Sequence, residues 1–235
     1  MTEEANGAPP EKEPPRMSEK RRAQIVAAAV RLFSRKGYFQ TTIEDIAREA
    51  NVSKGLIYLY FKDKNDVLFY TLRFVLERIE RQAPQLLERS AHPLLALRNA
   101  FRFYCAMADN HKLEMLLAYR STMDLLPEQR LGIKVEESRN SRVFRNALEA
   151  CIHSGLMRPV NTDIMTYQYM MYAHTWAIKN WAFRDQYRFE DFLAEGEKIL
   201  IEPFLTESGK AKLADEVGLL DLETLRTTIR DAAED

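Results

Sequence analysis

Apolar side chains recur with a helical period along most of the chain. The stripe of the first segment, spaced i, i+3, i+4, i+7 and i+8, is formed by Ile25, Ala28, Ala29, Leu32 and Phe33. Gly37 follows Arg35 and Lys36, a combination that is typical of a helix C-terminus. No segment alternates apolar and polar residues as a half-buried strand does. The pattern therefore predicts an all-α protein.

The same pattern, read with its caps and breakers, predicts where the helices lie. Ser18 is the predicted N-cap of the first helix, Thr41 or Thr42 caps a second, and a third runs over about 54–61. The later helices are predicted at about 65–88, 93–109, 111–124, 127–153, 162–184, 189–205 and 220–232. No repeat of 30–45 residues is present, so the pattern does not indicate a solenoid.

Composition narrows the class of protein. The chain has 235 residues, of which 46% are hydrophobic and 29% charged, the balance of a globular protein that can bury a core. Its two cysteines do not form a disulfide framework or a zinc site by themselves, as expected in a reducing cytosol. It contains no apolar run long enough to span a membrane and no secretory signal, so we expect a cytoplasmic protein without a membrane partner. Residues 1–17 are rich in proline and charge and are predicted to be a disordered tail.

Charge is segregated along the chain although the net charge is only −1. Residues 18–64 carry ten basic and five acidic side chains, whereas residues 206–235 carry four basic and eight acidic ones. A local basic face is typical of a site for a polyanion. The alternative is an ordinary solvated surface.

The basic segment contains three short predicted helices that end in a helix–turn–helix. Such a motif places the N-terminal residues of its second helix in the major groove of DNA. That helix opens with Ser53-Lys54-Gly55, and glycine allows a close approach to base edges. Lys54 can reach phosphate or guanine, and hydroxyls are available to phosphate on Thr41, Thr42, Tyr58 and Tyr60. The alternatives are that Tyr58 is core and that Gly55 only weakens its helix, by about 1 kcal/mol.

The run TTIEDIAREANVSKGLIYLYFKDKNDVL at residues 41–68, preceded by LFSRKGY at 32–38, resembles the helix–turn–helix of the TetR/AcrR family of bacterial repressors. The resemblance covers residues 18–70 closely and the remainder only as helix count and length. It implies a homodimeric transcriptional regulator, usually a repressor, which a small ligand releases from its operator.

The resemblance also implies roles for individual residues. Thr41 and Thr42 match phosphate-contacting hydroxyls, and Ser53, Lys54 and Gly55 match the start of the recognition helix. Tyr58 matches an aromatic residue that contacts the DNA backbone, and Lys62 or Lys64 matches the basic residue after that helix. Val52, Ile57 and Phe61 match its buried side. Leu56 and Leu59 depart from the pattern, because leucine packs on a thymine methyl but forms no hydrogen bond with a base.

The C-terminal segment is rich in methionine and aromatic residues, which line adaptable pockets. The predicted effector pocket consists of Phe101, Tyr104, Met115, Tyr119, Met123, Tyr167, Met170, Met171, His174 and Trp181. Such a lining favours an apolar or amphipathic effector, for which fatty acyl and aromatic groups both qualify. The alternative for each residue is ordinary core packing, and for His174 we favour core.

The last two long helices also suit dimerisation, which a palindromic operator requires. The predicted interface consists of Phe192, Gly196, Ile199, Leu200 and Phe204, with Gly196 allowing helices to approach. The resulting division is a tail (1–17), a DNA-binding domain (18–64), a ligand-binding and dimerisation domain (65–205) and a partly helical extension (206–235). The extension is expected either to cap the bundle or to pack on the partner subunit.

Enzymatic chemistry is not indicated. The four histidines show no metal-binding spacing, neither cysteine lies in a nucleophile motif, and no glycine-rich phosphate loop occurs. We therefore predict no catalytic residue, metal or cofactor. Two functions stay open: a ligand-responsive repressor that binds operator DNA, and a helical interaction protein that uses its basic face for an acidic protein partner.

Overall fold

The computed structural model describes residues 15–214 and 217–231, and most of them are helical. The α-helices, in chain order, are α1 (Pro15–Lys36), α2 (Ile43–Glu49), α3 (Lys54–Tyr60), α4 (Lys64–Leu87), α5 (Pro93–Asn110), α6 (Lys112–Ser121), α7 (Pro127–His153), α8 (Thr162–Ile178), α9 (Asn180–Phe183), α10 (Phe189–Leu200), α11 (Glu207–Leu213) and α12 (Leu222–Asp231). Short 3-10 turns follow α6 and α10 at Thr122–Asp124 and Glu202–Phe204. No β-strand occurs in these described ranges, which confirms the all-α prediction. In the same ranges no helix is long and apolar enough to cross a membrane.

The helix–turn–helix is built from local capping. Thr42 Oγ1 accepts a hydrogen bond from the Asp45 amide at 3.1 Å, and the Asp45 carboxylate accepts one from the Thr42 amide at 3.0 Å. This reciprocal pair begins α2. Asn51, with φ of 52°, lies in the left-handed region and reverses the chain between α2 and α3. Ser53 Oγ then accepts from the Leu56 amide and begins α3.

Two hydrophobic cores lie along the chain, and α4 takes part in both. The first encloses Ile25, Ile46 and Ile57 together with Leu72 near the middle of α4. The second begins one turn later, at Val75, and includes most of α5. One continuous helix therefore joins the two cores.

α5 is the centre of the second core, packed against α4, α7 and α8. Phe101 meets Tyr169 of α8 edge to face, with ring centroids 5.8 Å apart. Tyr104 meets Phe144 of α7 in the same way at 5.3 Å. Such contacts stabilise a core beyond simple burial, by about 0.5–1.5 kcal/mol each.

The C-terminal extension packs on its own subunit. Leu225 and Ile229 of α12 are buried in the second core. Asn99 of α5 donates to the Gly218 carbonyl at 3.0 Å and accepts from the Leu220 amide at 2.9 Å. Arg78 of α4 donates to the Ile229 carbonyl at 2.6 Å. The alternatives for the extension were that it caps the bundle or packs on the partner subunit. The structure shows the first, with the extension packed on α4 and α5 of its own subunit.

Several predicted boundaries are wrong. Helix α1 begins at Pro15, so Ser18 lies inside it and the predicted disordered tail is too long by at least three residues. The rest of that tail, residues 1–14, lies outside the described residues, as does the last residue of the predicted 220–232 helix. The predicted 162–184 helix is interrupted at Lys179, and α11 was not predicted. The predicted 189–205 helix ends at Leu200, because Pro203 lacks an amide hydrogen and its ring clashes with the preceding turn.

Candidate functional site

Helix α3 presents one side to the first core and the other to solvent. Ile57 and the following Phe61 are buried, which places them as predicted. Lys54, Gly55, Tyr58 and Leu59 are exposed on the opposite side, and Leu56 is half-buried. The exposed residues of this segment form one continuous outer surface, which we call the α3 face (Ser53, Lys54, Gly55, Tyr58 and Leu59).

Gly55 has no packing role among the residues that the structure describes. A Cβ atom placed on it would meet only the Ser53 hydroxyl, at 3.9 Å, and its φ is not in the left-handed region. Glycine inside a helix costs about 1 kcal/mol relative to alanine. Neither backbone geometry nor packing accounts for that cost, so the space above Gly55 points to a contact outside the chain.

Lys54 forms an ion pair with Glu44 at the start of α2 and lies over the Tyr58 ring, 5.8 Å from its centroid. The hydrogen bond from Lys54 lowers the pKa of Glu44, and the same bond raises the pKa of Lys54. Arg48 and Lys36 both pair with Asp45, while Arg31 pairs with Glu49. These four basic side chains are thus paired with local acids in the free protein, and a polyanion has to compete with those acids for them.

The other predicted DNA contacts separate into two groups. Thr42 and Lys62 are exposed and remain available. Thr41 is fully buried and its hydroxyl donates to the Gly37 carbonyl at 2.8 Å, so its predicted role as a phosphate contact is wrong. Lys64 donates to the Tyr38 carbonyl at 3.0 Å, and burial lowers its pKa, so its ammonium is held by the turn before α2. Tyr60 is half-buried against the first core.

An open cavity of about 310 Å³ lies beside α4 where the two cores meet. Its walls come from α4, α5, α6, α7 and α8. The lining residues are Leu72, Val75, Leu76, Ile79, Tyr104, Glu114, Met115, Ala118, Tyr119, Thr122, Ile133, Lys134, Glu137 and His174. The volume lies at the lower end of the range of small-molecule sites, and the lining is mainly apolar with a few polar groups.

Two other clefts are less suited to an apolar ligand. One, of about 350 Å³, lies between α1 and α4 and is lined largely by charged residues such as Glu19, Arg22 and Glu77. The other, of about 520 Å³, lies between the end of α1 and α6 and is equally polar and apolar. We therefore take the cavity beside α4 as the candidate effector site.

Four of the ten predicted pocket residues line this cavity: Tyr104, Met115, Tyr119 and His174. The other six do not. Phe101 and Met170 are buried in core packing, whereas Tyr167 and Met171 lie exposed on α8, and Met123 and Trp181 are 76% and 71% exposed. Both alternatives for His174 apply in part: its side chain is buried as a core residue is, and it also lies in the cavity wall.

Four polar residues, which we call the polar end of the cavity (Tyr104, Tyr119, Glu137 and His174), lie together. The Tyr119 hydroxyl lies 2.9 Å from His174 Nδ1, and the His174 ring stacks on Tyr104 with centroids 5.7 Å apart. Burial lowers the pKa of His174 to about 4, so the imidazole is neutral at pH 7. Burial raises the pKa of Glu137. Burial also raises the pKa of Tyr104 and of Tyr119, and the charge of Glu137 adds to both shifts.

Sequence reasoning missed the contribution of α4 and α7 to this site. The apolar residues of α4 follow a normal core stripe, and nothing in their spacing distinguishes a cavity wall from a packed interface. Glu137 lies on a charged helix and has the pattern of a solvated residue. Only the packing of α7 beside α5 carries it into the cavity wall.

An apolar strip remains exposed on α8. Ile164, Tyr167 and Met171 lie on one side of that helix, and Ile199 of α10, 58% exposed, is a further apolar residue of the same helix pair. Of the predicted interface residues, Phe192 and Gly196 are buried inside the subunit, while Leu200 and Phe204 are half-buried against the second core. A Cβ atom on Gly196 would lie 2.6 Å from the Phe101 ring, so this glycine brings α10 close to α5. Its predicted place in an interface is wrong.

Comparisons with known proteins agree with this architecture. The family model described as "Bacterial regulatory proteins, tetR family" matches residues 25–71. Over 200 residues, 85% of this chain and 87% of the relative, the sequence is 46% identical to the HTH-type transcriptional regulator HbdR of Aromatoleum sp. (strain CIB).

Solved structures share the fold. A putative fatty acid metabolism regulator of Clostridium perfringens superimposes with a TM-score of 0.68 at 16% identity, over 78% of this chain and all of that one. AibR in complex with isovaleryl coenzyme A and operator DNA superimposes with a TM-score of 0.66 at 21% identity, over 78% of this chain and 100% of that one.

Proposed function

Because this chain belongs to the tetR family of bacterial regulatory proteins, we propose that it is a ligand-responsive repressor that binds a palindromic operator as a homodimer. The observation that carries the proposal is the α3 face, where Gly55 is exposed and required by no contact within the chain. Operator binding places this activity in the cytoplasm.

The α3 face supports contact with the major groove. Gly55 lets the start of α3 approach base edges, Lys54 supplies a cation, and Tyr58 supplies a hydroxyl for the DNA backbone. Thr42 and Lys62 add exposed polar groups on either side of α3. Leu59 is exposed and has no hydrogen-bonding group, so it contributes through thymine methyls.

The exposed strip on α8 and α10 supports homodimerisation. Ile164, Tyr167, Met171 and Ile199 are apolar, and the folded subunit leaves them uncovered. A two-fold axis through this strip buries it against its own copy, as an isologous interface requires. Such a dimer binds neighbouring major grooves if its two recognition helices lie about 34–36 Å apart, one turn of DNA.

The cavity beside α4 supports a small apolar or amphipathic effector. It is accessible, mainly apolar and bounded by the helix that also enters the first core. The isovaleryl coenzyme A in the AibR complex supports an acyl thioester as one such effector: its acyl group is apolar and its coenzyme is polar. An occupant that displaces Leu72 and Val75 tilts α4 and moves α3, so a coupling of about 1–3 kcal/mol is sufficient to release the operator.

The test is selection of a duplex from a random DNA pool, followed by binding at increasing salt. We expect a two-fold symmetric duplex and, with six to ten phosphate contacts per dimer, a log–log salt slope of about −5 to −9. Failure to select any duplex over bulk DNA contradicts the proposal. That outcome favours the alternative, a helical interaction protein that uses its basic face for an acidic protein partner.

A further inference from the structure

The polar end of the cavity contains hydrogen-bonding groups that the protein leaves without partners. Among the residues that the structure describes, Glu137, half-buried in the cavity wall, has no hydrogen bond or ion pair, and neither has the hydroxyl of Tyr104. His174 Nε2 is buried and has no partner in the same ranges. Buried polar groups in native proteins are nearly always paired, so groups left open at a cavity wall indicate what its occupant supplies.

The contact between Tyr119 and His174 sets the proton on the imidazole. The Tyr119 hydroxyl has two acceptors in reach, His174 Nδ1 at 2.9 Å and the Met171 sulfur at 3.5 Å. Nitrogen is a much stronger acceptor than a thioether sulfur, so we assign the hydroxyl hydrogen to the bond with Nδ1, which puts the ring proton on Nε2. The polar end therefore offers one donor, Nε2–H, and one acceptor, the Glu137 carboxylate.

The charges of the cavity select against an anion. Glu137 and Glu114 both line it, and the one lining cation, Lys134, is solvent-exposed. A carboxylate brought to the polar end pairs with Nε2–H but is repelled by Glu137 where water is scarce. An ammonium pairs with Glu137 and leaves Nε2–H without an acceptor.

We propose that the effector of this cavity carries a neutral hydroxyl on its apolar body, which accepts from His174 and donates to Glu137, and that a carboxylate in that position is rejected. The inference rests on the proposed function and specifies the ligand of the same site. An acid presented as its uncharged ester or thioester is compatible with it, because its charge is removed or lies outside the cavity.

The test uses four probes that share one frame: 4-ethylphenol, ethylbenzene, 4-ethylbenzylammonium and 4-ethylbenzoate. Titration calorimetry on the full chain at pH 7.5 keeps the phenol neutral, since phenols titrate near pH 10. We expect 4-ethylphenol to bind about tenfold or more tightly than ethylbenzene. The ammonium and the carboxylate are expected to bind less tightly than the phenol.

Two variants test whether Glu137 and His174 cause the preference for the phenol. Glu137→Gln is expected to reduce the preference for the phenol and to improve binding of 4-ethylbenzoate, because the repelling charge is gone. His174→Phe keeps the stacking on Tyr104 and is expected to weaken the phenol while leaving ethylbenzene unchanged. Glu128→Gln, an exposed carboxylate on the same helix α7, is the control and is expected to change neither.

The inference is overturned if the phenol does not bind, if it binds no better than ethylbenzene, or if its preference survives both cavity variants. The same preparations are tested on the selected duplex. DNA binding without a phenol preference overturns the hydroxyl inference alone, whereas a wild-type protein that selects no duplex overturns the proposed function whatever the probes do.

Discussion

The side-chain amide of Asn65, in the first turn of α4, donates to the carbonyl oxygen of Asp124 at 3.0 Å. The same amide lies 3.5 Å from the Tyr38 hydroxyl in the turn between α1 and α2. Asp124 ends the 3-10 turn that follows α6, and α6 supplies Ala118 and Tyr119 to the cavity. Asn65 therefore joins the helix–turn–helix to a wall of the cavity through two hydrogen bonds.

Loss of this junction is expected to loosen the helix–turn–helix. Asn65→Ala removes the bonds to Asp124 and Tyr38, at a cost of about 1 kcal/mol. Amide hydrogen exchange in α2 and α3 is expected to accelerate, with exchange in α5 unchanged. Asn146→Ala, at an exposed asparagine of α7, is the control. Equal exchange in both variants contradicts a role for Asn65 in joining the two parts.

Gly55→Ala is expected to separate folding from DNA binding. The new methyl group meets only the Ser53 hydroxyl, and alanine favours the helix by up to about 1 kcal/mol, so Tm is unchanged or higher. Affinity for the selected duplex is expected to fall at least about tenfold, because the methyl stands between α3 and the bases.

Gly132→Ala is the matched control for Gly55→Ala. Gly132 lies in α7, and its added Cβ makes an ordinary contact with the Phe69 ring at 3.5 Å. It is expected to gain stability without losing DNA affinity. Unchanged DNA binding in Gly55→Ala contradicts the assignment of the α3 face as the DNA-binding surface.

The ion pair between Lys54 and Glu44 predicts opposite effects for its two partners. Lys54→Ala is expected to weaken binding to the duplex by about 1–3 kcal/mol and to make the salt dependence shallower. Glu44→Gln releases Lys54 and removes a negative charge, so binding at low salt is expected to tighten. The two variants, each titrated with duplex at low and high salt, check this, and a Glu44→Gln that binds more weakly contradicts it.

The dimer interface is tested by a pair of residues with opposite placement. Met171 is exposed in the subunit, so Met171→Arg is expected to leave the fold intact and to give monomers in sedimentation at micromolar concentration. Gly196 is packed against Phe101 and Tyr172, so Gly196→Ala is expected to lower stability by about 1–3 kcal/mol, measured by urea unfolding. If instead Gly196→Ala keeps its stability and dissociates, the interface lies on the inner side of α10.

His174 is expected to make the protein sensitive to acid. Its folded pKa is about 4, below the value of 6.5 for an exposed histidine, because burial disfavours the charged ring. Its contribution to stability is therefore present above pH 6.5 and is lost as pH falls toward 4. The unfolding free energy lost between these limits is on the order of 3 kcal/mol.

His174→Phe is expected to lose less stability than the wild type between pH 7 and pH 4.5 in urea unfolding. Glu137 has a raised pKa and acts in the opposite direction, gaining stability on acidification, so the comparison is made between variants rather than from one profile. Tyr119→Phe keeps the histidine and is expected to keep the wild-type pH dependence. An identical profile for wild type and His174→Phe contradicts the buried neutral ring.

Local signals in the sequence were sufficient for the class of fold and for the start and end of many helices. Apolar spacing defined the inner side of α1 and of α3, and the cap at Ser53 and the prolines at 93 and 127 defined where helices begin. These features depend on residues within one or two turns, so a single chain displays them directly. The α3 face followed from the same local periodicity, since Ile57 and Phe61 determine which side of a short helix faces inward.

Where two adjacent residues are chemically similar, only the tertiary structure determined which of them is buried. Met170 is buried and Met171 exposed, yet α8 is apolar on both sides, so its sequence contains no contrast from which to choose. Thr41 is buried and Thr42 caps α2, although both residues can cap a helix. Gly196 is buried because α10 packs closely on α5 and α8 at that position. Glu137 lies in a cavity wall because neighbouring helices enclose the space beside it. Such contacts join residues far apart in the chain, and their geometry depends on how whole helices pack, which local spacing does not encode.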